Sequence, residues 1–203
     1  MRLPNYGPLD RLGKPRRRSL VGIAGSTGRQ GAHSIEQMAL WSPSVDVRPV
    51  RNGLGLVAKR GVPSGRLVVR LSGRPVAPAV LWRWWRTDPR RAANCMRLAA
   101  ERYLDTEGGF GAFANHSCRP NAALLTERGG LVLRAIRAIR AGDEVTHDYA
   151  THLGADDCWT MRCNCGERAC RGTVRRFDRL PPATLARYLR LGMIPRFVRE
   201  TAG

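Results

Sequence analysis

Three cysteines near the end of the chain have the type and spacing of metal ligands. Residues 163–170 read CNCGERAC, which places the thiols of Cys163, Cys165 and Cys170 within eight residues. Thiolates bind zinc tetrahedrally at about 2.3 Å, and Gly166 allows the backbone to turn tightly between them. The pattern therefore predicts a zinc site, with a cluster of free thiols as the alternative.

A structural zinc site needs a fourth ligand, and three further cysteines are available. These are Cys95, Cys118 and Cys158. Position along the chain favours Cys158, which lies five residues before Cys163, but spacing alone leaves the choice among the three open. Clustered cysteines in a cytosolic protein are more often metal ligands than disulfides.

Four segments, in order along the chain, resemble motifs of the SET-domain family of protein-lysine methyltransferases. They are Gly53-Leu54-Gly55, residues 115–121 (NHSCRPN), residues 142–149 (GDEVTHDY) and residues 163–172 (CNCGERACRG), which is similar to the post-SET zinc segment. The first is weak evidence alone, but the other three in this order are very improbable by chance. The resemblance extends over residues 45–177, and the tail after it is similar to that of compact bacterial members.

The resemblance implies a mainly β fold with a few helices. A SET fold consists of small curved β-sheets with a knot-like crossing, here followed by a C-terminal zinc segment and a short helix. In this fold the Asn115–Cys118 segment passes under the loop that carries Tyr149, and Ser117 and Asn121 are expected to stabilise the crossing. The family pattern also implies that Cys118 is the fourth zinc ligand, which leaves Cys95 and Cys158 as spare thiols.

The resemblance implies an activity as well, S-adenosyl-L-methionine-dependent methyl transfer to the ε-amino group of a lysine in a protein substrate. Tyr149 matches the catalytic tyrosine, which also borders the cofactor. Asn115 and His116 match residues that bind S-adenosyl-L-methionine. Gly53-Leu54-Gly55 matches a backbone cradle for the cofactor, and glycine suits it because a backbone without Cβ can approach a ligand closely. The implied cofactors are S-adenosyl-L-methionine and Zn²⁺.

Three positions depart from the family pattern. Leu71 stands where an aromatic residue often forms a wall of the lysine channel. His147 stands where Phe or Tyr is frequent, and Ala112 where Arg or Lys is frequent. None of them is a residue that the chemistry strictly needs, so they bear on the degree of methylation and on substrate choice.

Short strands and a few helices must position these residues. Alternation over Val45–Val47, and apolar runs bounded by Gly, Pro and Ser, predict strands. The runs are 54–58, 66–71 and 131–133. Residues 92–105 fit either one helix or two short strands, 96–98 and 102–104.

Two segments that begin at proline are typical of helices. The first begins at Pro78 and ends before Asp88-Pro89; its apolar face favours core packing over a binding platform. That face carries Val80, Leu81, Trp84 and Trp85. The second begins at Pro181-Pro182 and ends at Gly192. Its inward residues are expected to be Leu185, Tyr188 and Leu189.

The sequence predicts four regions. Residues 1–44 form a basic extension without hydrophobic period, expected to be disordered, in which Met38 is a possible alternative start. Residues 45–152 form the SET domain, residues 153–176 the zinc-binding segment, and residues 177–203 a helical tail.

The formal charge of +19 suggests a nucleic-acid binder. The 35 basic residues are nearly all arginine and are spread along the chain, so we expect only non-specific nucleic-acid binding. Residues 143–157 are a local exception, with five acidic and no Lys or Arg side chains. This stretch either attracts a cationic lysine segment or is a solvated loop.

The remaining expectations concern location and the rival function. No apolar run approaches the ~18 residues of a membrane span, and residues 20–24 are too few for a secretory signal. The expected location is therefore cytoplasmic, with a lysine-bearing protein as partner. The alternative hypothesis is a protein without enzymatic activity, a catalytically silent SET-like zinc module that binds protein or nucleic acid.

Overall fold

A computed structural model describes residues 44–157 and 159–202. The predicted basic extension up to residue 43, with Met38, lies outside this range, as does Cys158. The strands are β1 (Val45–Val50), β2 (Gly53–Ala58), β3 (Leu67–Leu71), β4 (Arg74–Val76), β5 (Cys95–Ala99), β6 (Arg102–Asp105), β7 (Asn115–His116), β8 (Ala122–Glu127), β9 (Gly130–Ala135), β10 (Glu144–His147), β11 (Met161–Arg162) and β12 (Thr173–Val174). The α-helices are α1 (Pro78–Thr87), α2 (Pro89–Ala93), α3 (Pro182–Arg190) and α4 (Arg196–Arg199).

Short 3-10 helices complete the described part of the chain. They cover Phe110–Phe113, Tyr149–His152, Phe177–Arg179 and Glu200–Ala202. The predicted mainly β architecture with a few helices is confirmed, and so are the strands expected around residues 45–47, 54–58, 66–71 and 131–133. No helix among the described residues has the length and hydrophobicity to cross a membrane.

The strands form four small sheets in the described range. Their orders are β1-β2-β10-β7, β3-β9-β8, β4-β6-β5 and β11-β12. Every named pairing is antiparallel except that of β10 with β7, which is parallel. A parallel pair cannot be joined by a tight hairpin, so the chain passes through β8 and β9 before it returns beside β7.

The main core is formed by the facing sides of the first three sheets. Its fully buried aliphatic side chains come from β2, β8, β9 and β10, and burying each contributes about 1.5–3 kcal/mol relative to exposure. They include Leu56, Leu124, Leu131, Leu133 and Val145. The departure at Leu71 belongs to this core, since its side chain is only 4% exposed.

Residues 92–105 contain the end of a short helix and then two strands. The Asp88 side chain accepts a hydrogen bond from the Arg91 backbone N–H at 3.2 Å, which caps α2. After Asn94, β5 and β6 pair in a sheet that buries Leu98 and Leu104. The two-strand alternative is therefore correct for most of the segment, because tertiary burial outweighs the helical preference of the alanines.

Helix α1 packs as expected, whereas one prediction for α3 is wrong. In α1, Leu81 is buried and the tryptophans at 84 and 85 pack around it against Tyr103 of β6.

In α3, Tyr188 is buried and Leu185 packs beside it, but Leu189 is 43% exposed. The contact stripe of this short helix ends at Tyr188, and the core continues instead through Met193 and Ile194.

Candidate active site and metal centre

The parallel pairing of β7 with β10 brings two predicted motifs side by side. Asn115 lies opposite Thr146 and His116 lies opposite His147, and the Ser117 backbone N–H donates to the His147 carbonyl at 3.1 Å. The expected supporting role of Asn121 is confirmed. Its amide donates to the Glu144 carbonyl at 2.8 Å and accepts from the Thr146 N–H at 2.9 Å.

The side chain of Asn115 joins β7 to its neighbours in the sheet. Its Nδ2 donates to the Leu54 carbonyl at 3.1 Å and to Glu144 Oε1 at 2.7 Å. Gly55 makes room for this arrangement, since a Cβ there would lie 2.5 Å from Glu144 Oε1 and 2.9 Å from Asn115 Nδ2. Gly53 has φ +96°, a conformation that side chains rarely adopt. The Gly53-Leu54-Gly55 segment thus supports the site by fixing Asn115.

The phenol of Tyr149 is held by its hydroxyl and by its ring. Its O–H donates to the Ala114 carbonyl at 2.7 Å. Its ring lies 4.9 Å from that of His147 and 6.3 Å from that of Trp159, measured between centroids. Burial, and to a smaller degree Glu144, raises the pKa of Tyr149 well above its usual value. The phenol therefore stays protonated at neutral pH.

His116 connects Tyr149 to the cysteines. Its Nδ1 accepts from the Tyr149 backbone N–H at 3.2 Å, and its Nε2 lies 3.4 Å from Cys118 Sγ. Burial lowers the pKa of His116 to about 4, so the ring is neutral near pH 7. With Nδ1 as acceptor, the hydrogen-bond network assigns the ring proton to Nε2, which donates to Cys118.

Four cysteines gather into one cluster. The sulfurs of Cys118, Cys163, Cys165 and Cys170 all lie within 4.8 Å of one another. The Cys118 and Cys163 sulfurs are 3.7 Å apart, close to the about 3.8 Å edge of a zinc–sulfur tetrahedron. This donor set and spacing fit zinc, and the fourth sulfur of the cluster is that of Cys118, the position that the family pattern implies. Cys95 lies apart from the cluster in β5.

The surroundings of the cluster explain how its thiols can become thiolates. Burial raises the pKa of Cys118 to about 11 and also raises that of Cys163, so a cation is needed to hold the deprotonated forms. The backbone N–H groups of Arg171 and Gly172 each donate to a sulfur at 3.4 Å, that of Cys118 and that of Cys170. These donors stabilise negative charge on sulfur, as second-shell groups of metal sites do.

Asp148 links three parts of the chain, a role that sequence reasoning missed. Its side chain is fully buried, and Arg171 donates to both carboxylate oxygens at 2.6 and 2.7 Å. The Tyr188 hydroxyl of α3 adds a third hydrogen bond at 3.0 Å. The available signal was local: Arg171 directly follows Cys170 of the predicted zinc site, and Asp148 directly precedes Tyr149.

One cavity brings together four of the ten predicted site residues. It is lined by Asn115, His116 and Tyr149 and by residues of the predicted zinc segment, including Cys165, whereas residues 53–55 are not part of its lining. The other lining residues are Asn52, Met161, Arg162 and Asn164. The site is therefore formed jointly by the β7–β10 crossing and the segment that the cysteines fold over it.

The acidic side chains of residues 143–157 form hydrogen bonds and ion pairs with other parts of the fold. Asp143 accepts from the Arg140 backbone N–H at 3.0 Å, and Glu144 and Asp148 bind Asn115 and Arg171. Asp156 and Asp157 lie 2.8 and 3.5 Å from the buried guanidinium of Arg97. The stretch is thus not a free anionic surface for a cationic segment.

A comparison with protein-family models agrees with the order of these motifs along the chain. The model of the SET domain matches residues 53–150. Residues 53–150 are a SET domain. Within the SET domain, Leu71 packs in the core and His147 packs against the ring of Tyr149, so these two departures from the family pattern are both accommodated in the interior.

Relatives of the SET domain are known among curated proteins. The chain is 32% identical over 133 residues to the "Histone-lysine N-methyltransferase, H3 lysine-36 specific" of Cryptococcus neoformans var. neoformans serotype D, covering 61% of this chain and 16% of that protein. It is 30% identical over 188 residues to a protein of the same description from Mycosarcoma maydis, covering 84% of this chain and 19% of that protein. The chain thus spans less than a fifth of the length of either relative.

Solved structures share the fold. The methyltransferase domain of human SETMAR superposes with a TM-score of 0.54 at 23% identity, covering 65% of this chain and 58% of that one. A complex of KRYPTONITE with mCHG DNA and SAH superposes with a TM-score of 0.50 at 24% identity, covering 64% of this chain and 29% of that one. At these identities the likeness concerns the fold of the SET domain.

Proposed function

We propose that this chain transfers a methyl group from S-adenosyl-L-methionine to the ε-amino group of a lysine in a protein substrate. The observation that carries the proposal is the position of Tyr149, whose hydroxyl is oriented by the Ala114 carbonyl and whose side chain lines a cavity together with Asn115 and His116. The descriptions of the relatives as histone-lysine N-methyltransferases support the same chemistry.

The chemical difficulty lies in the substrate amine. A free lysine has a pKa of about 10.4, so only about one in a thousand side chains is neutral near pH 7.4. Transfer of the amine from water into a partly buried cavity lowers its pKa. Fixed alignment of the amine supplies much of the remaining acceleration.

Tyr149 is suited to orient the amine rather than to deprotonate it. Because its raised pKa keeps the phenol protonated, it does not act as a phenolate base. Its hydrogen is committed to the Ala114 carbonyl, which leaves the oxygen lone pairs free to accept from an N–H of the substrate. The lone pair of the neutral amine is then held in a defined direction.

The cofactor would be held by Asn115, by His116 and by the backbone of Gly53-Leu54-Gly55. S-adenosyl-L-methionine, when bound, supplies a methyl group on a sulfonium that the amine can attack in line. The side chain of Asn115 is already fixed by the Leu54 carbonyl and by Glu144. Zinc on the four cysteines would fix the 161–165 wall of the cavity.

Two measurements test the proposal. Calorimetry with S-adenosyl-L-methionine is expected to show binding by the chain. Incubation with methyl-labelled cofactor and a library of lysine peptides is expected to label at least one peptide, and Tyr149→Phe is expected to reduce the rate about 10²-fold or more. Cofactor binding without labelling of any peptide would favour the silent zinc module, and so would the absence of both cofactor binding and labelling.

A cytoplasmic location stays a prediction, which cell fractionation can test.

A further inference from the structure

A second cavity lies beside Tyr149 and is lined largely by arginines. Its wall consists of Trp159, Thr160, Arg175, Arg176, Arg179 and Asp157. The β11–β12 pairing explains why these residues meet. Met161 lies opposite Val174 and Arg162 opposite Thr173, so the same register continued outward places Thr160 opposite Arg175. We refer to this cavity as the arginine cleft.

The charges of the arginine cleft are not all engaged in the fold. Arg176 is held, because it donates to the Ala155 carbonyl at 2.7 Å and lies 2.9 Å from Asp178. Asp157 accepts from the Gly154 N–H at 2.7 Å and faces Arg97. Arg175 is exposed, and Arg179 is 61% exposed and 3.7 Å from Asp178.

Arg175 is therefore available to a ligand, and Arg179 is available in competition with its exposed ion pair to Asp178. Guanidinium groups recognise carboxylates through paired hydrogen bonds. The one acidic group in the wall of the cleft, Asp157, already has its partners within the fold.

The arginine cleft and the active cavity share no lining residue, but an aromatic contact connects their walls. The ring of Trp159 lies in the wall of the cleft and 6.3 Å from the ring of Tyr149. The active cavity itself carries exposed Arg162 in its wall. A peptide with its lysine at Tyr149 would therefore meet arginines on β11 and in the arginine cleft.

Acidic groups offset these arginines only in part, since the single carboxylate of Asp178 faces both Arg176 and Arg179. The side chains of the 143–157 stretch that could do so are engaged with Asn115, Arg171 and Arg97. A target lysine flanked by further lysines and arginines would bring like charges together, which disfavours binding. A target lysine flanked by carboxylates would instead bring opposite charges to Arg175 and Arg179.

We infer that the substrate of this chain presents its lysine among acidic residues, which the arginine cleft binds through Arg175 and Arg179. The inference rests on the proposed function and narrows its substrate class to acidic protein segments. A nucleic-acid partner is less well matched, because a phosphate backbone is bound by a basic groove that follows it over several nucleotides, whereas these arginines lie in one cleft beside the lysine site.

The first experiment compares three peptides of equal length that carry one central lysine flanked by Glu, by Ala or by Arg. Methyl transfer is measured at low salt for the unmodified chain, for Arg175→Ala/Arg179→Ala and for the control Arg83→Ala/Arg86→Ala. The control removes two exposed arginines from α1, away from the cleft. For the unmodified chain, we expect kcat/KM for the Glu peptide to be about tenfold higher than for the Ala peptide, mainly because KM is lower. We expect Arg175→Ala/Arg179→Ala to lose this preference and Arg83→Ala/Arg86→Ala to keep it.

A charge reversal protects the test against a variant that fails to fold. Arg175→Glu/Arg179→Glu is expected to shift the preference from the Glu peptide to the Arg peptide, a gain that misfolding cannot produce. The inference is overturned if the Ala or Arg peptide is preferred by the unmodified chain, or if the preference for Glu survives both cleft variants.

Peptide binding, followed by fluorescence anisotropy, separates this inference from the proposed function. Binding of the Glu peptide that depends on Arg175 and Arg179, with no methylation of any peptide, would refute the proposed function and retain the acidic specificity of the cleft. Methylation of all three peptides at equal rates would retain the function and refute the inference. A short DNA duplex that binds through the same two arginines more tightly than the Glu peptide would also refute it.

Discussion

Arg171 donates two hydrogen bonds to the buried carboxylate of Asp148, at 2.6 and 2.7 Å. Asp148 directly precedes Tyr149, and Arg171 directly follows Cys170 of the cysteine cluster. The same carboxylate accepts from Tyr188 of α3. The crossing, the zinc segment and the tail thus share one buried ion pair, and the wall of the active cavity depends on it.

Removing the cation of this pair is expected to be costly. Arg171→Ala leaves a fully buried carboxylate without its counter-charge, which costs about 3–5 kcal/mol. Tyr188→Phe removes a single hydrogen bond and is expected to cost less, about 1–2 kcal/mol. Urea unfolding measures both, with Arg199→Ala of the exposed face of α4 as the control. Equal stability of Arg171→Ala and the control would refute the role of the pair.

The zinc site predicts different results for two cysteines that spacing alone could not separate. Cys118→Ser is expected to abolish the binding of about one zinc per chain, because it removes one of four thiolates. Cys95→Ser is expected to leave zinc content unchanged, since Cys95 lies in β5. Metal analysis of the purified variants checks both. Full zinc content in Cys118→Ser would show that the cluster is not the site.

Gly55 offers a test of how the site supports Asn115. In Gly55→Ala, the new Cβ would come within 2.5 Å of Glu144 Oε1 and displace the Asn115 side chain. We expect a loss of about 1–3 kcal/mol in stability and weaker binding of S-adenosyl-L-methionine by calorimetry. Gly61→Ala is the matched control, because its Cβ would meet nothing closer than 3.9 Å. Similar cofactor binding by the two variants would contradict this account.

Three buried histidines predict a loss of stability in mild acid. Burial lowers the pKa of His116 to about 4 and those of His147 and His152 to about 3, from 6.5. Between pH 6.5 and about 4 the unfolded chain therefore binds more protons than the folded one, and stability falls as pH falls. Each histidine contributes at most about 1.4 kcal/mol per pH unit.

His147→Phe isolates one of these contributions. Unfolding free energies are measured by urea titration at several pH values between 7 and 5, with zinc present throughout. The variant is expected to show a slope about a third shallower than that of the unmodified chain, because one of three titrating groups is gone. An unchanged slope would mean that His147 does not resist protonation in the folded state.

The sequence allowed much of this site to be predicted, for reasons that differ between residues. Cys163, Cys165 and Cys170 are close in the chain, so local spacing was sufficient. Cys118 lies 45 residues before Cys163, and only the resemblance identified it. The strands around residues 54–58 and 131–133 were predictable because their apolar runs are bounded by turn residues.

Other features depend on contacts that no local pattern contains. Asp148 meets partners 23 and 40 residues away, and Asp156 meets Arg97 at a separation of 59. These pairs engage the carboxylates of an acidic stretch that the sequence alone could not distinguish from a solvated loop. Leu189 was misplaced because the length of the buried stripe on α3 is set by where the rest of the tail packs, which periodicity does not record.

The separation of Cys118 from the other three cysteines has a consequence for biosynthesis. During synthesis, Cys118 and strands β1–β10 are made before Cys163, Cys165, Cys170 and the 161–165 wall of the cavity. Zinc binding would then join parts of the site that are synthesised at different times. On the proposed function, a nascent chain that has not yet reached Cys163 is expected to transfer no methyl group.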